Sequence, residues 1–134
     1  IGMMDLASLG RAMMVEDADV FPRGMLRPAG AAVGEGVNTG QEFFCVYGFH
    51  MQVIGAAQSE CKDHRFSDGN PWLGHAGEAY GLRAGVWFDT KLERGIAYFT
   101  TAVPPRQSAE DEGGFDPREI ELMAKAQELI EAGR

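Results

Sequence analysis

The sequence has no apolar run of the roughly 20 residues that a bilayer-crossing helix needs, so nothing in it reads as a membrane span. It is also short of positive charge. Its 12 Lys and Arg stand against 20 Asp and Glu, for a formal net charge of -8. That balance argues against nucleic acid as a partner, because phosphate binding needs clustered Lys and Arg. Cysteine is limited to Cys45 and Cys61. No CxxC or HxxxH spacing occurs, which argues against a zinc site gathered from Cys45, Cys61, His64 and Asp68. The cysteines fit a disulfide, which would contribute roughly 3 kcal/mol for a loop of that size. They fit two free thiols equally well, and their spacing leaves both open. Internal repeats and low-complexity tracts are lacking too. Glycine is abundant, at 18 residues, which predicts tight turns and close backbone approaches. With 45% hydrophobic and 24% charged residues, the 134 positions suffice for one globular domain with a real core.

The pattern along the chain predicts an α+β fold, with helix and loops over 1–40, antiparallel strands over 41–103 and a closing helix over 115–134. Leu6, Leu9 and Met13 follow Asp5 on one side of a short helix, with Asp5 as its N-cap and Met3, Met4, Met13 and Met14 as core filler. Phe21 to Pro28 offers one helical turn between prolines, and residues 29–40 are loop by composition. Aromatic and β-branched residues from Glu42 to Ile54 predict a single strand, with Gly48 as a bulge or close contact. The hydrophilic stretch from Ala57 to Pro71 reads as a surface excursion. Trp72 begins a second strand that continues past His75, Leu82 to Phe88 makes a third, and Ile96 to Val103 a fourth across a turn from Asp89 to Gly95. Trp72 and Trp87 are expected to pack the sheet. Pro104 to Gly114 is a polar connector. Asp116, Pro117 and Glu119 then give an N-cap, a proline at the first helical position and a capping-box glutamate. Ile120, Met123, Ala126 and Ile130 recur at helical spacing, with Leu122 and Leu129 widening the stripe and Gly133 as C-cap.

The segment Gly74-His75-Ala76-Gly77-Glu78-Ala79-Tyr80-Gly81-Leu82-Arg83-Ala84-Gly85-Val86-Trp87-Phe88-Asp89 resembles the third motif of serine β-lactamases and penicillin-binding proteins, the Lys-Thr-Gly strand. In the branch of class C β-lactamases, esterases and DD-peptidases, the motif's Lys is often His, giving His-x-Gly. The order that follows, strand, turn, strand and C-terminal helix, is similar as well. Met4 to Gly10 resembles a helix that precedes this sheet in the family. The likeness is specific over 72–103 and loose before residue 40.

The resemblance implies a partial β-lactamase/transpeptidase-like fold, an antiparallel sheet flanked by an N-terminal and a C-terminal helix. It implies that His75 supplies a side chain near substrate, that Gly77 lets substrate lie close to the strand, and that the Glu78 backbone N–H contributes to an oxyanion hole. Ala76 departs from the family's Thr or Ser, whose hydroxyl can bind a substrate carboxylate. The departure leans towards esters or other acyl compounds rather than penicillins. No cofactor or metal is implied. Export to the periplasm or outside the cell is implied, and with it a Cys45–Cys61 disulfide. Tyr80 and Arg83 either line the cleft or are structural, and His50 and His64 are expected to be solvated or packed.

The family's other motifs do not occur. No Tyr-x-Asn is present, and Ser59-Glu60-Cys61-Lys62, the single Ser-x-x-Lys, falls in a polar stretch without a helical stripe. The chain opens Ile1-Gly2-Met3-Met4 and runs straight into a helical pattern, as expected for a piece of something longer. The expectation is therefore the C-terminal segment of a serine acyl-transfer hydrolase, inactive alone because no nucleophile and base are held together. Its partners would be the N-terminal part of the same protein, or a second copy through an exposed sheet edge, and a small acyl substrate in the whole enzyme. The competing expectation is a non-catalytic binding or assembly domain built on the same sheet.

Overall fold

Helix α1 (Met3–Met14) starts one turn earlier than the position of Asp5 suggests. Gly2 is the N-cap, and its N–H donates to Asp5 Oδ2 at 2.8 Å. Asp5 thus serves from inside the first turn, where a carboxylate also meets the positive end of the helix dipole. The computed structural model describes residues 2–15, 19–20, 46–48, 51–55, 65–66, 68–89, 94–104 and 115–133. Cys45, Cys61, His50, Ser59 and His64, the segment 21–40 and the connector 105–114 lie outside them, and so do the expectations placed there.

The described strands form one antiparallel sheet in sequential order: β1 (Val46–Gly48), β2 (Met51–Ile54), β3 (Trp72–Ala79), β4 (Leu82–Asp89) and β5 (Arg94–Thr100). The single strand expected from Glu42 to Ile54 is instead two. Gly48 pairs with Met51 and Val46 with Val53, so the chain doubles back between them. Hydropathy stays high through so short a reversal, which is why the pattern reads as continuous. Between β3 and β4, Tyr80 and Gly81 have φ of 52° and 78°. Both central residues of a tight primed hairpin turn need that left-handed region, which Gly81 enters freely and Tyr80 only at some cost. The β4–β5 turn is shorter than expected, since Asp89 and Arg94 still pair.

Alternation along the strands sorts the core onto two faces. On one, Met51, Val53, Leu73 and Phe88 pack beneath Met13 and Met14 of α1. The outer side of that helix stays in solvent, with Met4 78% and Leu9 46% exposed, so these two are not the core residues their spacing suggests. On the other face, Ile54, Phe66, Trp72, Trp87, Ile96, Tyr98 and Phe115 pack against Met123 of helix α2 (Pro117–Ala132).

Helix α2 starts as its sequence predicts. Asp116 caps the Arg118 N–H at 2.9 Å, and Glu119 returns to accept the Asp116 N–H at 3.0 Å. Its stripe is narrower than expected, because Leu122 and Leu129 are exposed. Each lies about 100° around the helix from its neighbour on the buried stripe, Met123 or Ile130. Glu119 and Gln127, four residues either side of Met123, are buried instead. Glu119 is tolerated there because Tyr98 Oη donates to its Oε1 at 3.1 Å. Burial raises the pKa of both groups, and the proximity of each to the other raises the tyrosine further.

A polar clasp holds the segment before β3. Arg94 Nη2 bridges Asp68 Oδ2 at 2.6 Å and Asp89 Oδ2 at 3.0 Å, and its guanidinium lies over the Trp72 ring. Trp72 Nε1 and the Asn70 N–H also donate to Asp68. Burial pushes the Asp68 carboxyl up, but the donors from Asn70, Arg94 and Trp72 together outweigh it and hold the pKa below the usual value. A carboxyl whose pKa is lowered by folding stabilises the fold above its unfolded pKa, and the contribution disappears as pH falls through the folded one. Asp68→Asn should therefore cost about 2 kcal/mol at pH 7 and progressively less below about pH 4, measured by urea denaturation across pH.

Candidate functional site

The site predicted from sequence lies on the far half of β3, and the length of β2 decides its character. β4 pairs with β3 from Leu73 to Ala79, whereas β2 pairs with it only from Trp72 to Gly74. From His75 onward β3 projects past β2, and no described strand covers that edge. The Ala76 N–H points towards β2, where it donates to Gln52 Oε1 at 2.8 Å. In an antiparallel strand, the amides of residues two apart face the same way. The Glu78 N–H is therefore aimed at the open edge as well.

The side chains divide between the faces. His75 and Gly77 are exposed on the α1 face, while Ala76 packs against the core on the α2 face. The Glu78 side chain, 48% exposed, pairs with Arg83 Nη1 at 2.6 Å, directly across from it on β4. Arg83 is itself only 3% exposed at its side chain, so it serves as an internal anchor for Glu78 and does not line an open cleft. This pairing turns the carboxylate onto the α2 face and leaves the Glu78 amide at the edge. Tyr80 stands fully exposed at the hairpin tip.

His75 approaches the Ala76 carbonyl and the Gln52 amide. Its Nδ1 is 2.5 Å from the Ala76 carbonyl oxygen, and its Nε2 is 3.5 Å from Gln52 Nε2. Gln52 is 2% exposed and belongs to a wholly buried strand. Sequence reading did not single it out. The available signal was one amide inside the apolar Met51-Gln52-Val53-Ile54, since a polar residue buried at such a position needs partners.

Two glycines of the segment serve different ends. A Cβ on Gly74 would run into the Val86 carbonyl oxygen and lie 2.7 Å from Trp87 Cε3, so close strand packing requires glycine there. A Cβ on Gly77 would meet nothing within 4 Å, and its φ lies outside the left-handed region. Neither packing among the described residues nor backbone conformation accounts for glycine at position 77. The structure thus brings His75, Gly77 and the Glu78 amide together on one strand, beside an edge that no described strand covers. Among the described residues, no group of three or more His, Cys, Asp and Glu is placed to hold a metal ion, and no helix is long and apolar enough to cross a membrane. No protein-family model, curated protein or solved structure matches the chain.

Proposed function

We propose that this chain is the C-terminal segment of a serine acyl-transfer hydrolase of the β-lactamase, DD-peptidase or esterase type, with a partial β-lactamase-like fold in which β3 forms one wall of the cleft. The observation that supports this reading most is the edge of β3 beside Gly77, which no described strand covers and where neither packing among the described residues nor backbone conformation explains the missing side chain. An acyl group laid along that edge would place its carbonyl oxygen against the Glu78 N–H. A donor aimed at a developing oxyanion lowers the barrier by about 3 kcal/mol when its geometry is right.

In the reaction, a serine outside these 134 residues attacks the carbonyl carbon of an ester, amide or β-lactam. The alcohol or amine departs with a proton, and water then hydrolyses the acyl-enzyme to release the acid and regenerate the serine. His75 stands at the wall as a hydrogen-bonding group. Ala76 offers no hydroxyl to a substrate carboxylate, which favours simple esters and other uncharged acyl compounds. Periplasmic or extracellular placement and a Cys45–Cys61 disulfide belong to the same proposal.

A second reading, a binding or assembly domain without catalysis, draws on the same edge. Unpaired N–H and C=O groups on an open strand can pair with a strand of another chain or a second copy. Intact mass separates the two readings. The complete reading frame containing this chain is incubated with a fluorophosphonate and with a labelled penicillin, alongside the 134-residue chain alone. A single adduct should form on the longer protein, outside these residues, and none on the chain alone. An adduct at Ser59 would contradict the account, and no adduct on the longer protein, with a dimer in solution, would favour the assembly reading.

A further inference from the structure

We infer that Glu119 is a proton-sensitive latch between helix α2 and the sheet, and that Arg83 passes its state to Glu78 on the β3 edge. The latch goes beyond the proposed function and does not depend on it, since every group involved lies within the described residues.

The sequence prepares the latch by leaving out a side chain. Gly85 pairs with Tyr98 across β4 and β5, and a Cβ on Gly85 would lie 2.6 Å from the Tyr98 ring and from its Oη. The phenol therefore lies over Gly85, with Arg83 and Trp87 two residues to either side on the same face of β4. Glu119 meets it there from the first turn of α2, accepting the Tyr98 O–H at 3.1 Å through Oε1. Its Oε2 accepts the Asp116 N–H at 3.0 Å. One carboxyl group thus closes the capping box of the helix and docks that helix on the sheet. Both donors are neutral, and the residue is 2% exposed. A buried carboxylate with no cation bonded to it is costly, which favours the form that carries the proton.

Around Glu119, Tyr98 stands on β5 and Arg83 on β4, while Asp116, itself paired with Arg118, stands at the start of the helix. From the segment before β3, Arg65 lies over the Phe115 ring. Burial raises the Glu119 pKa, and the Asp116 charge adds to the rise. The bonds from the Asp116 N–H and from Tyr98, with the charge of Arg83, pull it down without cancelling that rise. A carboxyl whose pKa is raised by folding stabilises the docked helix below its unfolded pKa, and the contribution is lost as pH rises through the folded one. Arg83 carries the effect further. Its Nη1 meets Glu78 at 2.6 Å, while its Nη2 is buried with no hydrogen-bond partner among the described residues. Loss of the Glu119 proton places an anion within the field of that unused donor. The guanidinium is then drawn towards α2, and its hold on Glu78 weakens.

The test follows the glutamate carboxyl carbons of the full-length protein by NMR from about pH 4 to about pH 9, each assigned through its own backbone amide. Glu119 should titrate above the ordinary glutamate value, and the Glu78 carboxyl should show a second step at the same midpoint. In Glu119→Gln that second step should vanish. In Tyr98→Phe, which keeps a ring over Gly85 but donates no bond to the anion, both midpoints should move up together. Amide exchange reads the docking itself. The opening equilibrium of α2, corrected for intrinsic exchange, should rise up to about tenfold per pH unit between the ordinary glutamate value and the Glu119 midpoint. A Glu119 midpoint at or below the ordinary value overturns the latch even if neither variant folds, and so does an opening equilibrium that ignores pH over that range. A Glu78 carboxyl with no step at the Glu119 midpoint, or one that keeps its step in folded Glu119→Gln, overturns the part given to Arg83.

Discussion

Gly74→Ala should destabilise the protein by about 3 kcal/mol or more, whereas Gly77→Ala, three residues along the same strand, should stay within about 0.5 kcal/mol of the parent. The methyl group at position 74 is directed at the Val86 backbone and the Trp87 ring, inside the β3–β4 ladder. A backbone carbonyl in a paired strand cannot swing aside as the end of a side chain can. The two strands would have to separate, and with them Trp87, which is completely buried. At position 77 the methyl group meets no described residue within 4 Å. Denaturant titration of both variants measures the difference directly. The functional account adds a reversal of rank, because Gly77→Ala, benign for folding, should impair acylation of the full-length protein by occupying the room meant for substrate.

His75→Ala should lower the acylation rate of the full-length protein about 100-fold or more, the usual scale for a positioned acid–base or hydrogen-bonding side chain. Its effect on stability should be small. The ring is exposed, and the Gln52 amide beside it keeps its own bond to Ala76. The decisive readout is the second-order rate of fluorophosphonate labelling, followed beside the denaturation midpoint. A slow variant that is otherwise as stable as its parent places His75 at the reacting group. An unchanged rate removes it from the mechanism.

The sequence carried its information unevenly, for physical reasons. The start of α2 was readable because capping is local: Asp116, Pro117 and Glu119 meet their partners within one turn. The β3–β4 hairpin was readable because a short turn forces neighbouring strands to pair. The break at Gly48–Met51 was not, since both arms of that hairpin are apolar and the reversal leaves no gap in the pattern. Leu122 and Leu129 misled because a helix can carry more apolar residues than the sheet beneath it covers. Arg94 illustrates the limit of local reading. It draws together Asp68 and Asp89, which lie 26 and 5 positions away, and only the folded sheet makes them neighbours.

The candidate site shows the same division. The resemblance picked out His75, Gly77 and Glu78 from a single strand, and residues on one strand are necessarily placed together. It could not reach Gln52, which lies 23 positions from His75 and meets it only across the β2–β3 pairing. Nor could it tell that Arg83 would be buried beneath Glu78, because that depends on which face of β4 receives α2.

On the proposed function, the edge of β3 from Ala76 to Ala79 binds the reacting acyl group. That claim is tested most directly by the structure of the full-length protein after reaction with a fluorophosphonate. The account predicts a phosphonyl oxygen about 3 Å from the Glu78 nitrogen, the phosphorus bonded to a serine outside this chain, and His75 and Gly77 beside it. An adduct whose oxygens are held elsewhere, with the edge from Ala76 to Ala79 covered by another strand, would contradict it.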